Sequence, residues 1–414
     1  MRYRYNGVVT SRFEGDQRKE GLMLITRVRA SNWRNFSAID IPFKEFTYFV
    51  GANGAGKSSL LDIPRFLGDI CREGGGGLQG ALKKRGGLAH VRSLLNTPES
   101  LKKGTAMSID VELSEKAGGP VIWRYMLALR MEGQGRHRDL VAQERVWKDG
   151  KLILNRPTAQ DRRDMERLTQ TQLEQTGGNG DFRELADFFR ASCCLLPVFS
   201  LPRADETVNL PGDGIRVLGY GLMDRITQVQ DSARHFRMNT IGRMMQLAIP
   251  GFSELFFWRD ESGGPYLEAK YTTRRQRSLQ TDDWFTDDML RMIDFFWSTL
   301  DDMPFLMVDE PEKYLPDALM QRFPAFLVEL RRLKKDKTYR MMPQMVMATN
   351  SMPLLESPGI DPASVIVLEA GRAGSTARTL KAAELSALKS GAALADVLMP
   401  VVQAAIGPKV RFYK

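Results

Sequence analysis

The stretch Gly51-Ala52-Asn53-Gly54-Ala55-Gly56-Lys57-Ser58 constrains this chain more than any other. It fits the pattern GxxxxGK[ST] at every position, is entered directly from the apolar run EFTYFV at 45–50, and opens into the amphipathic segment SLLDIPRFL. A strand, a glycine-rich turn and a helix in immediate succession wrap backbone N–H groups around an anion at the positive end of the helix. Asn53, Gly54, Ala55, Gly56, Lys57, Ser58 and Ser59 are therefore the candidate nucleotide contacts. Lys57 would neutralise the β- and γ-phosphates, and Ser58 would ligate Mg²⁺.

Triphosphate chemistry also needs a carboxylate at the end of a buried strand. The run Pro304-Phe305-Leu306-Met307-Val308-Asp309-Glu310 supplies one: Asp309 for Mg²⁺, with Glu310 beside it to polarise the attacking water. ATP and Mg²⁺ are the cofactors this pairing implies. Lys57 and Asp309 stand far apart in the chain, with a β-meander and helices between them. That separation argues against the compact arrangement of RecA-like or small GTPase domains.

With 414 residues, 43% hydrophobic and 26% charged, the chain has room for about two to three domains by length alone. The motif spacing points instead to one head split by an insertion, an α/β protein with a mixed or antiparallel β lobe, a parallel core sheet and an inserted helical lobe. The expected division is a flexible extension at 1–21, the first part of the head at 22–156, the inserted lobe and a hairpin at 157–280, and the second part at 281–414. Either Met1 or Met23 would serve as the start. Strands are predicted at 22–30, 38–41, 45–50, 107–113, 121–131 and 141–147, and helices at about 158–174 and 181–192. From Ile215 to Ala248 apolar residues recur every three or four positions, which predicts one helix of about 50 Å. Alternating helices and strands from 285 onward read as the parallel sheet resumed.

The formal net charge of +9 makes polyanions the first partners to consider. Basic clusters lie at Lys83-Lys84-Arg85, at Arg274, Arg275 and Arg277, and at Arg331, Arg332, Lys334, Lys335 and Lys337, with Arg225, Arg234, Arg237 and Arg243 along the long amphipathic stretch. Solvated faces and sequence-independent contacts to nucleic acid phosphates both account for them. His90, His137 and His235 are scattered, so a histidine-based nuclease or zinc site has no support. Cys71, Cys193 and Cys194 form no metal-ligand spacing and no disulfide framework, no apolar stretch is long enough to span a membrane, and the opening lacks a signal-peptide core. A cytoplasmic protein without membrane contact is expected.

Taken in order, these motifs resemble the ABC-type ATPases of the SMC, RecF and OLD-like group, particularly the short-armed relatives found in bacterial antiphage defence operons. The resemblance covers roughly 22 to 370. It is carried by Asn32-Trp33-Arg34-Asn35-Phe36 ahead of the phosphate loop, by Asp309-Glu310-Pro311-Glu312 followed by Leu315-Pro316, and by Ala348-Thr349-Asn350-Ser351-Met352-Pro353-Leu354-Leu355. It implies an ABC-type P-loop head, with Asn350 in the place of the switch histidine and Thr286-Asp287-Asp288-Met289-Leu290-Arg291 as the signature segment. In that segment Thr286 and Asp288 would reach the nucleotide of a second subunit. Asp288 stands where the group has glycine, adding bulk and negative charge, which implies slow hydrolysis. The resemblance further implies a homo-oligomer, at least a dimer, that senses or scaffolds for a separate effector such as a nuclease or toxin. A RecF-like repair or replication ATPase, and an assembly protein with little turnover, are the alternatives. No cluster of carboxylates suited to two-metal chemistry follows residue 371, so any cutting is left to another chain.

Overall fold

Apolar runs without polar alternation need cover on both faces, and five such runs, at 46–50, 193–196, 305–309, 344–349 and 365–371, build the centre of this protein. The computed structural model describes residues 23–92, 106–133, 137–196, 214–272, 277–301, 303–333, 342–371 and 374–403. The expectations for 1–21 and for the start at Met1 or Met23 lie outside them.

In chain order the strands are β1 (Leu24–Trp33), β2 (Phe36–Pro42), β3 (Phe46–Val50), β4 (Met107–Ser114), β5 (Trp123–Met131), β6 (Asp139–Lys148), β7 (Lys151–Arg156) and β8 (Cys193–Leu196). They continue with β9 (Ile215–Val217), β10 (Phe252–Arg259), β11 (Pro265–Thr272), β12 (Arg277–Thr281), β13 (Phe305–Asp309), β14 (Gln344–Thr349), β15 (Val365–Gly371) and β16 (Gly374–Arg378). A six-stranded antiparallel sheet runs β2-β1-β4-β5-β6-β7, and a seven-stranded sheet runs β16-β15-β3-β14-β13-β8-β9. Only β16 is antiparallel in the second sheet. A small sheet, β10-β11-β12, stands apart from both. This is a mixed α/β architecture of the kind expected from the motifs.

The period-two geometry of a strand sends neighbouring side chains to opposite faces. Phe49, Phe305, Met307, Val346, Ala348, Ile366 and Leu368 enter one core, shared with the helix Lys57–Cys71 and the inner face of the antiparallel sheet. Tyr48, Val50, Leu306, Val308, Met345, Met347 and Val365 enter the other, shared with apolar residues of the helices Asp287–Thr299 and Asp317–Leu333. Cys193 and Cys194 divide in the same way, and both are buried free thiols.

Two buried polar clips hold the sheets in place. The Gln344 side chain accepts from Ile25 N–H at 2.8 Å and donates to Ile25 C=O at 2.7 Å and Lys44 C=O at 2.9 Å, tying β14 to β1. Glu144, fully buried on β6, accepts from Arg156 Nη1 at 3.0 Å and from the backbone N–H groups of Gln172 and Leu173.

The single helix expected over Ile215–Ala248 does not form. Ile215–Val217 instead pairs with β8 at the edge of the parallel sheet, and two helices follow at Leu222–Gln228 and Asp231–Ala248. Gly219 and Gly221 adopt positive φ, 87° and 63°, and end any helix that would reach Leu222 from upstream. Val229 and Gln230 are extended and separate the two helices. Leu218, Leu222 and Ile226 of the three-and-four spacing join the second core, but the spacing is not continued by Ala233 and Phe236, and the second helix enters the same core through Met238, Ile241 and Met245 instead. Over 158–174 the only α-helix is Ala159–Arg163, because Asp164 turns extended and caps a separate 3₁₀ turn at Met165–Thr169. Beyond β15, the tail adds β16 and helices at Ala382–Lys389 and Leu394–Val402.

Replacing Gln344 by alanine leaves Ile25 N–H and two carbonyls buried without partners. The expected loss is about 1–3 kcal/mol, read as a lower denaturant midpoint with an unchanged slope.

Candidate functional site

Three neighbouring parallel strands, in the order β3-β14-β13, end at one place. Val50 is level with Thr349, and Ala348 with Asp309. The carboxyl ends of open parallel strands are where such sheets form their ligand crevices, and the predicted residues other than Thr286 and Asp288 lie at or just after these strand ends.

The loop after β3 is shaped by its glycines. Gly56 has φ 100°, and a Cβ there would come within 2.6 Å of Asn35 Nδ2 and 2.7 Å of Phe36 Cζ. The turn Asn32-Trp33-Arg34-Asn35-Phe36 thus presses on the loop. Trp33 Nε1 donates to the Ser59 carbonyl at 2.7 Å, Arg34 Nε donates to Asp62 at 3.0 Å, and Asn35 Nδ2 donates to Ser375 Oγ at 2.7 Å. The helix Lys57–Cys71 begins without a side-chain cap and without an acidic residue in its first turn, so its amino-terminal N–H groups are left for an anion. Lys57 is 5% exposed and donates through Nζ to the carbonyls of Gly51 and Ala52, at 2.9 and 3.1 Å. Burial pushes its pKa down, while Glu310, Glu312 and Asp309 oppose that shift.

Asp309 ends β13. Burial pushes its carboxyl pKa up, and a hydrogen bond from Ser58 opposes that. Its Oδ1 atom is buried with no partner among the described residues. An orphaned carboxylate oxygen beside a solvent-exposed serine hydroxyl is a hard oxygen pair that suits Mg²⁺. No group of three or more metal-ligating side chains occurs among the described residues.

Glu310 takes the left-handed conformation, with φ 47°, and its N–H donates to the Ala348 carbonyl at 2.8 Å. Its carboxylate is ion-paired with Lys313. Asn350, just past β14, donates through Nδ2 to Asn53 Oδ1 at 2.9 Å, so the switch position touches the phosphate loop directly. In the sequence Glu312 is only one member of the Asp309-Glu310-Pro311-Glu312 motif and has no role of its own. Its carboxylate accepts from Thr349 Oγ1 and from Asn350 N–H, each at 2.9 Å, and so couples the segment after β13 to the end of β14. Burial pushes the Glu312 pKa up.

Thr286 and Asp288 have a different setting. Thr286 caps the helix Asp287–Thr299 by accepting from Met289 N–H, and Asp288, 74% exposed, pairs with Arg291. Among the described residues neither is hydrogen-bonded or ion-paired to the phosphate loop.

Among the described residues of the basic clusters, Lys84, Arg85, Arg225, Arg234 and Arg237 are paired with carboxylates. Arg85, 4% exposed, donates to Asp62 and Asp69 at 2.7 and 2.8 Å, and Lys84 pairs with Asp69. Arg225 is bound to the buried Asp294, Arg234 to Asp231 and Arg237 to Asp301, whereas Arg243 is exposed. Those pairings take Arg85, Arg225 and Arg237 out of the set available to phosphates. Arg274, Arg275, Lys334, Lys335 and Lys337 lie outside the described residues, as do the side chains of Arg277, Arg331 and Arg332. No helix among the described residues is long and apolar enough to cross a membrane.

A family model described as "AAA domain, putative AbiEii toxin, Type IV TA system" matches residues 46–172. The DNA replication and repair proteins RecF of Glaesserella parasuis serovar 5 and of Mannheimia succiniciproducens are 43% and 47% identical, each over 47 residues. These matches cover 11% of this chain and 13% of each relative's length. Among solved structures, the SMC head domain from Thermotoga maritima aligns over 86% of this chain and 99% of its own, at 14% identity and a TM-score of 0.42. An SMC head bound to the C-winged helix domain of ScpA aligns over 87% and 99%, at 15% identity and a TM-score of 0.46. Those overlaps are loose and the grouping does not depend on them. With the phosphate loop after β3, the Asp-Glu pair at the end of β13 and β14 between them, the chain is similar to the ABC-type ATPases of the SMC/RecF group, and the family match over 46–172 includes that loop.

Proposed function

We propose that the protein binds ATP with Mg²⁺ at the ends of β3, β14 and β13 and hydrolyses it slowly. The observation that carries this reading is the Asp309 carboxylate at the end of β13, whose Oδ1 is buried with no partner among the described residues, one strand removed from the phosphate loop on β3. In this reading the backbone N–H groups of Asn53 to Ser59 receive the phosphates, and Lys57 leaves the carbonyls of Gly51 and Ala52 to neutralise them. Ser58 and Asp309 would hold Mg²⁺, which would supply charge neutralisation for the phosphates. Glu310 takes the proton of the attacking water, and Asn350 hydrogen-bonds the γ-phosphate or that water. Thr286 and Asp288, on an exposed helix start, would meet the nucleotide of a second copy. A homodimer or larger assembly is part of the proposal.

For the biological setting we favour a cytoplasmic sensor or scaffold that controls a separate effector, a nuclease or toxin, in antiphage defence. The description of the matching family model, which names a toxin system, supports that setting. The short RecF matches favour a second reading, an accessory ATPase of DNA repair or replication. The genes beside this one separate the two: a small toxin or nuclease gene supports the first, and recombination genes support the second.

Lys57→Ala removes the loop's cation and is expected to abolish ATP binding, while Glu310→Gln keeps binding and lowers turnover by about 10²-fold or more. Phosphate release and equilibrium ATP binding measured on the same preparations check both. Unchanged turnover in Glu310→Gln would remove Glu310 from its role. Asp288→Gly is expected to raise turnover if a second copy's phosphates approach that turn, and turnover that does not depend on the residue at 288 would argue against the shared site.

A further inference from the structure

Lys313 has no role in the reading so far, yet it occupies the most sensitive position in the site. It lies at the end of the 3₁₀ turn Pro311–Lys313, and its ammonium is paired with the Glu310 carboxylate three residues earlier. The left-handed backbone at Glu310, followed by Pro311, is what folds these two side chains together. The pair is not locked. Lys313 is 47% exposed and Glu310 25%, and lysine carries a compact charge on a flexible stem. The charges of both residues are also felt at Lys57, Glu310 favouring the Lys57 ammonium and Lys313 opposing it. The loop's lysine, Glu310 and Lys313 are thus close enough to act as one alternating set of charges.

Arrival of a triphosphate changes that balance. Asp309, Glu310 and Glu312 already place three carboxylates at the end of β13, and a polyanion adds like charge beside them in a partly desolvated crevice. A mobile cation next to Glu310 is drawn to the larger negative charge. We propose that Lys313 is a second cation for the terminal phosphate: it is parked on Glu310 while no nucleotide is present, and it moves to the γ-phosphate when ATP binds, freeing the Glu310 carboxylate. The proposal rests on the triphosphate reading of this site and adds a residue that distinguishes ATP from ADP.

The test is equilibrium binding of ATP and of ADP, each with Mg²⁺, to the full chain and to its Lys313→Met and Lys313→Arg variants. Lys313→Met is expected to bind ATP about tenfold more weakly while holding ADP unchanged, and Lys313→Arg to keep both affinities within about twofold. Retained ADP binding also shows that the variant is folded. Parallel losses for ATP and ADP, or no loss for either, would overturn the proposal while leaving the nucleotide site intact. Absence of any ATP binding by the unmodified protein would overturn the site reading itself, and this proposal with it.

Discussion

The paired positions Val50 with Thr349 and Ala348 with Asp309 lock β3, β14 and β13 side by side. Neighbouring strands lie about 4.8 Å apart, so three segments remote in the sequence finish within reach of one ligand. The Asn350–Asn53 hydrogen bond and the Ser58–Asp309 contact both follow from that register. A slip of one residue in β14 would send Val346 and Ala348 into the wrong core and carry Asn350 away from the loop. The two cores on either face of the sheet therefore do more than stabilise it. They hold the alignment of the site, and Gln344 adds a polar clip to the antiparallel sheet at the opposite end of the same strand.

What the register brings together is electrically incomplete. A buried lysine faces carboxylates at 309, 310 and 312, a helix begins without a cap, and Asp309 Oδ1 is buried without a partner. Buried polar groups are nearly always hydrogen-bonded, so an unpartnered carboxylate oxygen that meets an uncapped helix start and a buried lysine suits the ligand proposed for this crevice. In the proposed site the backbone groups are already aimed, and the reorganisation falls on the side chains of Lys57 and Lys313 when charge arrives. Glu310 in the left-handed region and the Lys313 pair beside it show the same economy, with backbone strain used to position a charge.

The sequence made the local chemistry readable. Gly51 to Ser58 and Pro304 to Glu310 are contiguous because a phosphate loop and a strand-end carboxylate are local devices; the first lies between β3 and the helix from Lys57, and Asp309 ends β13. The uninterrupted apolar runs of β3, β13, β14 and β15 told of burial on both faces. Contacts that depend on strand order were not readable. Nothing in the chain announces that Asn350 touches Asn53, that Glu312 holds the end of β14, or that Lys313 is paired with Glu310. The strands β8 and β9, four and three residues long, gave too little pattern, and β9 was absorbed into a longer helical periodicity. Lys84 and Arg85 read as surface charge because a run of basic residues does not reveal the buried Asp62 and Asp69 that bind it.

The central claim is that these strand ends form one magnesium-dependent nucleotide site. Calorimetric titration of the full chain with ATP, in the presence of Mg²⁺ and again with Mg²⁺ chelated, tests it most directly. The account predicts saturable binding that weakens by about tenfold or more when the metal is removed, a difference of at least ~1.4 kcal/mol. Saturable binding that is indifferent to Mg²⁺ would contradict the roles given to Ser58 and Asp309, and no binding in either condition would contradict the site as a whole.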